Sequence, residues 1–366
     1  MSQPPVASTD NVKRFPCGQC GAQLSFSPGT QTLLCQYCGF KNDIPQSADD
    51  IHELDFNAYL EVARTESTLE HDKVVKCQAC AAEFTVGGLT TADKCPFCGS
   101  NTIISVEAEV RIRPKSLLPF AIEQRSCRTI YEKWVKSRWL APNALKDFAR
   151  TKGGIEGMYI PYWTFDTRTT SYYTGMRGEH YYETESYTDS EGNTQTRQVQ
   201  KTHWYPASGT VWRDFDDVLV PGSKTLPVNH VMAVDSWDTT NLVNYNDEFL
   251  SGFKSERYSV GLEPGFEWGK EIMSKTIYQD VRWDIGGDEQ QVFSVNTQWD
   301  AITFKHILVP IWVGAYKFKD KTYRFIINGR TGQISGDAPI SVWKVLLLVL
   351  LGLIVVGTIF YFTQKN

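Results

Sequence analysis

Eight of the nine cysteines fall into two copies of one spacing, C-x2-C-x14-C-x2-C: Cys17, Cys20, Cys35 and Cys38, then Cys77, Cys80, Cys95 and Cys98. Two C-x2-C knuckles place four thiolates at the corners of a tetrahedron, which suits zinc at Zn–S distances of about 2.3 Å and leaves no open position for a substrate water. The expectation is two structural zinc ions, one for each set of four. Four thiolates also satisfy an iron–sulfur cluster, so that alternative stands beside zinc. A thioredoxin-type redox site needs a single C-x2-C on a helix after a strand, and here there are four such pairs. Structural disulfides fit poorly, because the first residues, "MSQPPVASTDNVKRF", carry no apolar core or cleavage site of a secretory signal.

Such a site needs two knuckle turns joined by short antiparallel strands, the zinc-ribbon shape. The inserts "LSF" and "TLL" in the first copy and "EFTV" in the second supply the apolar alternation for those strands, and a glycine follows each second pair, at Gly39 and Gly99. The ninth cysteine, Cys127, stands alone on a helix predicted from Glu123 to Leu140 and reads as a small packing residue.

Ribbons often serve nucleic-acid machines, and charge weighs against that here. Residues 13–42 carry Lys13, Arg14 and Lys41 and no acid, but four thiolates around one divalent ion return about −2. Lys73, Lys76 and Lys94 face Glu83 and Asp93 in the second copy. Between the copies, residues 43–72 hold nine acids against Arg64, with Ile51, Leu54, Ala58 and Val62 at helical spacing. An acidic amphipathic connector, packing a thin apolar stripe on a ribbon, is expected there, and it would repel phosphates. The nearest phosphate-loop look-alike, "GFEWGKE" at 265–271, is one residue short and has Glu271 where Ser or Thr is required. Nucleic acid is therefore the alternative partner, and a net charge of −5 agrees with placing it second.

The remaining chain changes period. After a break at "APN" (141–143) and a shorter helix through Phe148, "GMYIPYWTFDTRTTSYYTGMRG" and "HYYETESYTDSEGNTQTRQVQKTHWY" read as long strands with a turn near "DSEGN". A helix is signalled from Pro264 to Val281, with Phe266, Ile272, Met273, Ile277 and Val281 on one face. Strands return at 299–336 with turns at "KDK" and "NGRTG". The segments "IPYW" (160–163) and "VPIW" (309–312) suggest either an internal duplication or, the favoured reading, two matching edge strands where proline removes a ladder donor. The six histidines are scattered, and "DIGGDEQ" (284–290) reads as an acidic turn, so no catalytic constellation is found. Val345 to Phe362 is an uncharged apolar run flanked by Trp343, Lys344 and Lys365. Its length meets the roughly 30 Å of a bilayer core at about 1.5 Å per residue, and its flanks suit the interfaces.

The expected fold is multidomain α+β. It comprises a disordered lead (1–14), a first ribbon (15–42), the acidic helical connector (43–72) and a second ribbon (73–104). An extended segment with helices (105–150), an antiparallel aromatic β-rich domain (151–341) and a transmembrane helix (343–362) follow. Only four residues follow the apolar run, so the reading is a single-pass, tail-anchored chain. Reduced thiolates put its bulk in the cytoplasm.

Taken in order, the ribbons, "RWLAPNALK", "IPYWTFD", "LSGF", "DIGGD", "TFKHILVPIW", "NGRTG" and the terminal helix resemble a bacterial family of tail-anchored double zinc-ribbon membrane proteins. Its members are labelled transcription-factor-type zinc-ribbon proteins or primosomal protein N prime (replication factor Y). The chain lacks the motor motif that the latter label requires. The resemblance implies a link to membrane-stress modules with stomatin/prohibitin/flotillin-type or phage-shock-protein-A-type partners. The functional expectation is a membrane adaptor that recruits a protein partner.

Overall fold

The computed structural model describes residues 15–45, 51–63, 74–78, 83–85, 95, 103–106, 112–142, 154–188, 190, 192–318 and 321–365. The expected lead at 1–14 and the short helix ending at Phe148 lie outside the described residues. The chain begins with β1 (Leu24–Phe26), β2 (Thr32–Cys35), β3 (Lys41–Asp43), β4 (Leu54–Asp55) and α1 (Phe56–Ala63). Next come β5 (Val74–Cys77), β6 (Glu83–Thr85), β7 (Ile103–Val106), β8 (Ser116–Leu117) and α2 (Gln124–Ser137). The long elements follow: β9 (Ile155–Thr188), β10 (Thr194–Pro221), α3 (Val228–Met232), β11 (Val243–Asn244), β12 (Lys254–Glu256) and α4 (Leu262–Ile285). Last are β13 (Glu289–Phe318), β14 (Lys321–Asn328), β15 (Ile334–Gly336) and α5 (Val342–Lys365).

A large, mostly antiparallel sheet is organised on β9, which pairs with β10 on one side and β13 on the other. At 34 residues, β9 spans about 110 Å at about 3.3 Å per residue. The turn between β9 and β10 falls on "DSEGN", as the turn residues predict. Between Met158 and Phe165 the sequence is apolar and aromatic except for Thr164, and both faces of β9 are buried there. From Thr167 to Tyr173 the pattern becomes alternate, with odd residues buried and even ones more exposed.

The odd face is covered by α4, which is longer than the predicted helix at both ends and buries Phe266, Met273, Ile277 and Val281. Two ties fix it: the Tyr173 hydroxyl donates to Asp284, and Arg213 forms a bidentate pair with Asp280. Gly265 lets the helix approach the sheet, since a Cβ there would stand 2.9 Å from Trp163 Cδ1.

The two proline motifs are not on edge strands. They pair with each other on adjacent inner strands, with Pro161 opposite Leu308 and Pro310 opposite Tyr159. Proline is tolerated because each outer neighbour ends at that point. The Pro161 carbonyl accepts from Gly222 N, just past the end of β10. The Pro310 carbonyl accepts from Gly329 N, just past the end of β14. A strand residue aims its N–H and C=O the same way, so each absent donor faces a place where the ladder has already stopped.

The acidic connector also differs from expectation. Its helix is the short α1, and its apolar residues pack on the sheet instead of a ribbon: Phe56 lies against Phe266, Phe165 and Phe304, and Tyr59 against Phe304. β4 pairs with β13 through Leu54–Phe304 and Asp55–Thr303, which holds the segment in place.

At the other end of the chain, α5 is apolar along nearly its whole length and is 0% buried over Val342–Thr363. It is long and apolar enough to cross a membrane.

Candidate metal centre

β1, β2 and β3 form a separate three-stranded antiparallel sheet, with Leu24 opposite Cys35. Cys17 and Cys20 precede β1, Cys35 ends β2, and Cys38 lies in the turn before β3. Each knuckle closes by a backbone bond: Gly21 N donates to Cys17 O at 2.9 Å and Gly39 N to Cys35 O at 3.0 Å. Both glycines adopt positive φ, +73° and +75°, a conformation a side chain would strain. Gly39 has a counterpart in the second copy at Gly99, whereas Gly21 has none, since Ala81 follows Cys80.

These turns bring the four sulfurs of Cys17, Cys20, Cys35 and Cys38 within 4.8 Å of one another. Cys17 and Cys38 are 3.6 Å apart and Cys20 and Cys35 3.5 Å, close to the roughly 3.8 Å edge of a tetrahedron of thiolates around zinc. The set is able to hold a metal ion. Backbone N–H groups of Cys38 and Tyr37 pull the Cys35 thiol down. Cys38 moves the other way: the Phe40 N–H favours its thiolate, but loss of water and the sulfurs of Cys35, Cys20 and Cys17 outweigh that and push it up. Four thiolates at this spacing need a cation among them. Cys17 and Cys35 are buried, while Cys20 and Cys38 face solvent.

The ribbon is not free. Phe26 N donates to Ser251 O at 3.0 Å, the Ser251 hydroxyl to Leu24 O at 2.7 Å, and Gly29 N to Phe120 O at 2.8 Å. Phe26 packs edge-on to Phe249, centroids 5.2 Å apart. Cys17, Cys35, Leu24, Phe26 and Leu33 thereby join one core with Tyr159, Tyr131 and Trp312.

Of the second set, Cys77 and Cys95 are buried, and Cys80 and Cys98 lie outside the described residues. Cys77 ends β5, which pairs with β6 and β7. β6 pairs with β12, and β12 runs parallel to β9. This cysteine region therefore continues the large sheet, whereas the first is a separate sheet tied to the body through the backbone of β1 and the turn after it. The remaining cysteine, Cys127, is fully buried in the core, where burial pushes its thiol up to about 12. It packs and does not react.

A charged cluster escaped the sequence reading. Lys305 Nζ lies 2.8 Å from Glu53, 2.8 Å from Asp217 and 3.8 Å from Asp166. Its side chain is 8% exposed. β10 bulges opposite Asp166 and β13 one residue along, opposite Thr167, and Asp217 and Ala301 take φ of +50° in those bulges. Burial and Glu53 raise Asp166, while Glu53 is lowered by hydrogen bonding to Asp166 and by Lys305 and Thr303. Carboxylate oxygens of Glu53, Asp166 and Asp216 lie within 4.8 Å of one another, and the Lys305 ammonium supplies compensating positive charge there. The signal available in the sequence was an acidic pair, Asp216–Asp217, inside a strand pattern. The acids of "DIGGDEQ" are likewise structural: Asp288 accepts from His180 N and Glu289 meets His180 Nε2 at 2.6 Å.

No family model matches the chain, and no solved structure matches it. It is similar to a curated protein, the uncharacterized protein YdjG of Bacillus subtilis (strain 168). The two are 25% identical over 337 residues, covering 90% of this chain and 91% of that protein.

Proposed function

We propose that the protein is a membrane-anchored adaptor that faces the cytosol, holds zinc on its cysteine sets and recruits a protein partner. The observation that carries this reading is the uncovered face of the long sheet. With α4 on the odd face, the even face bears Trp212 and Tyr172, 73% and 49% exposed, diagonal neighbours on β10 and β9. Large exposed aromatics on a rigid face are the kind of anchors that protein interfaces use. Beyond Gly178, where β13 begins its pairing, β9 and β10 continue as a two-stranded ribbon for roughly 30 Å. The body thus offers a long arm to a partner.

Docking of the first ribbon against Phe249 and Phe120 favours a supporting role for it, with recognition on the open even face of the sheet. Zinc is favoured over other ions by the all-thiolate set and its sulfur spacing. The repeat of the spacing at Cys77, Cys80, Cys95 and Cys98 supports a second ion there, and thiolate ligands favour the reducing side of the membrane. The resemblance to the double-ribbon family points to stomatin/prohibitin/flotillin-type or phage-shock-protein-A-type partners.

The test is affinity purification of the full chain from detergent-solubilised membranes, with bound zinc quantified. Replacing Trp212 and Tyr172 by alanine should leave zinc content unchanged and deplete the co-purifying protein at least about tenfold, the loss of about 1.4 kcal/mol of contact. Partner retained in full by that variant would remove the even face from the proposal. Recovery of nucleic acid in place of protein would overturn it.

A further inference from the structure

The apolar helix α5 is fastened to the body at its first turn. Ser341 N donates to Leu140 O at 2.8 Å, and Lys344 Nζ donates to Trp139 O at 3.0 Å and to Ala141 O at 2.7 Å. Ser341 O in turn accepts from Lys344 N and Val345 N, so the start of α5 is tied to the turn that ends α2. Three successive carbonyls of that turn are satisfied by the start of the anchor. The turn therefore lies at the depth where α5 leaves the body.

The surface around this joint is unlike the surface of a soluble domain. Trp139 is 59% exposed, Ile340 64%, Val342 70% and Trp343 82%. A shallow groove lies between the 137–141 turn and the 336–340 segment, lined by Trp139, Leu140, Ala338, Pro339 and Ile340, with Arg138 at its side. The Arg138 guanidinium stands over the Trp134 ring at 4.8 Å and is exposed. Tryptophan, aliphatic surface and a cation gathered at the entry of an apolar helix match the layered chemistry of a bilayer interface, where indoles sit at headgroup depth and cations meet phosphates.

We infer that Trp139 and Ile340 dip into the bilayer interface beside Trp343, with Arg138 at the phosphate level, so that the body rests on the lipid surface through the α2–α5 joint. The occupant of the groove is phospholipid from the same membrane. This rests on the membrane reading of α5. Its own content is a second, peripheral contact that fixes how the body sits on the anchor.

The test uses the full chain reconstituted into vesicles of phosphatidylcholine and phosphatidylglycerol, with and without lipid brominated near the top of the acyl chains, which quenches nearby indoles. The quenched part of the tryptophan emission should fall by about half in Trp139→Phe, fall similarly in Trp343→Phe, and nearly vanish in the double variant, if the two indoles share one depth. Thermal unfolding of each variant checks that the body is intact. Trp343 quenched while Trp139→Phe quenches like the parent overturns the inference and leaves the anchor standing. That result also covers a Trp139 shielded by a second copy or a protein partner. No quenching in any variant, with the chain stripped from vesicles on alkaline flotation, overturns the anchor reading and the inference together.

Discussion

The Ser251 hydroxyl donates to the Leu24 carbonyl at 2.7 Å, joining residues 227 positions apart and tying the first cysteine ribbon to the β domain. Next to that bond, Phe26 fills a pocket formed with Phe249 and Phe253. Because Phe26 is 4% exposed, Phe26→Ala should cost about 3–5 kcal/mol and Ser251→Ala about 1 kcal/mol. Urea unfolding of the detergent-solubilised chain measures both. A ribbon that behaves as an independent module would show Phe26→Ala losing zinc with the main transition unmoved.

This docking marks the limit of what the sequence discloses. The knuckle spacing, the β9–β10 turn and the apolar face of α4 are periodic or chemical signals confined to a short window, so they are legible. Which surface Phe26 or Phe56 packs against depends on partners about 220 and 210 residues away, Phe249 and Phe266, for which no local pattern exists. The prolines misled for a related reason. Proline excludes a ladder bond on one side of one residue, and the sequence does not say that β10 and β14 stop there.

Metal loss should be specific to the clustered cysteines. Replacing Cys35 and Cys38 with serine removes two of four ligands and should abolish binding at that site, lowering total zinc by one ion for each chain. Cys127→Ser should leave the metal content unchanged, because Cys127 lies on α2 in the core and, among the described residues, is not one of the clustered sulfurs. Zinc quantification with a colorimetric chelator after protein hydrolysis decides between them.

Glu256 sets a pH dependence of known sign. It lies on β12, the strand that joins the second cysteine region to β9, with its Oε1 accepting from the Ser223 hydroxyl. Burial pushes it up to about 7, against the opposing hydrogen bonding of Ser223 and Thr225. The folded state therefore keeps the proton longer than the unfolded chain, whose ordinary value is 4.5. Stability from this group is complete below 4.5 and is lost as pH rises to about 7, a loss of about 3 kcal/mol. Glu256→Gln should match the parent near pH 4.5 and exceed it at pH 8 by that amount. The His306 imidazole, pushed down to about 4 by burial, slopes oppositely in both proteins and cancels in the difference. Unfolding curves at the two pH values check the crossover; a constant difference between them would sink the assignment.

The value of Lys305 lies in what it compensates. Its ammonium, nearly buried, is shared among Glu53, Asp217 and Asp166, and Glu53 also accepts from the Thr303 hydroxyl at 2.6 Å. Lys305→Met keeps the volume and leaves those carboxylates without a cation, so the expected loss is about 3–5 kcal/mol. Adding Glu53→Gln to that variant removes one uncompensated charge and should recover part of the loss, a non-additive result that marks direct coupling. Because Glu53 leads into β4 and α1, the single variant should also raise hydrogen exchange across Leu54–Ala63, whereas the arm beyond Gly178 should exchange as before. A cost below about 1 kcal/mol with unchanged exchange would mean that water already screens the cluster. In that case the β4–β13 pairing and the packing of Phe56 and Tyr59 would hold the acidic segment to the sheet.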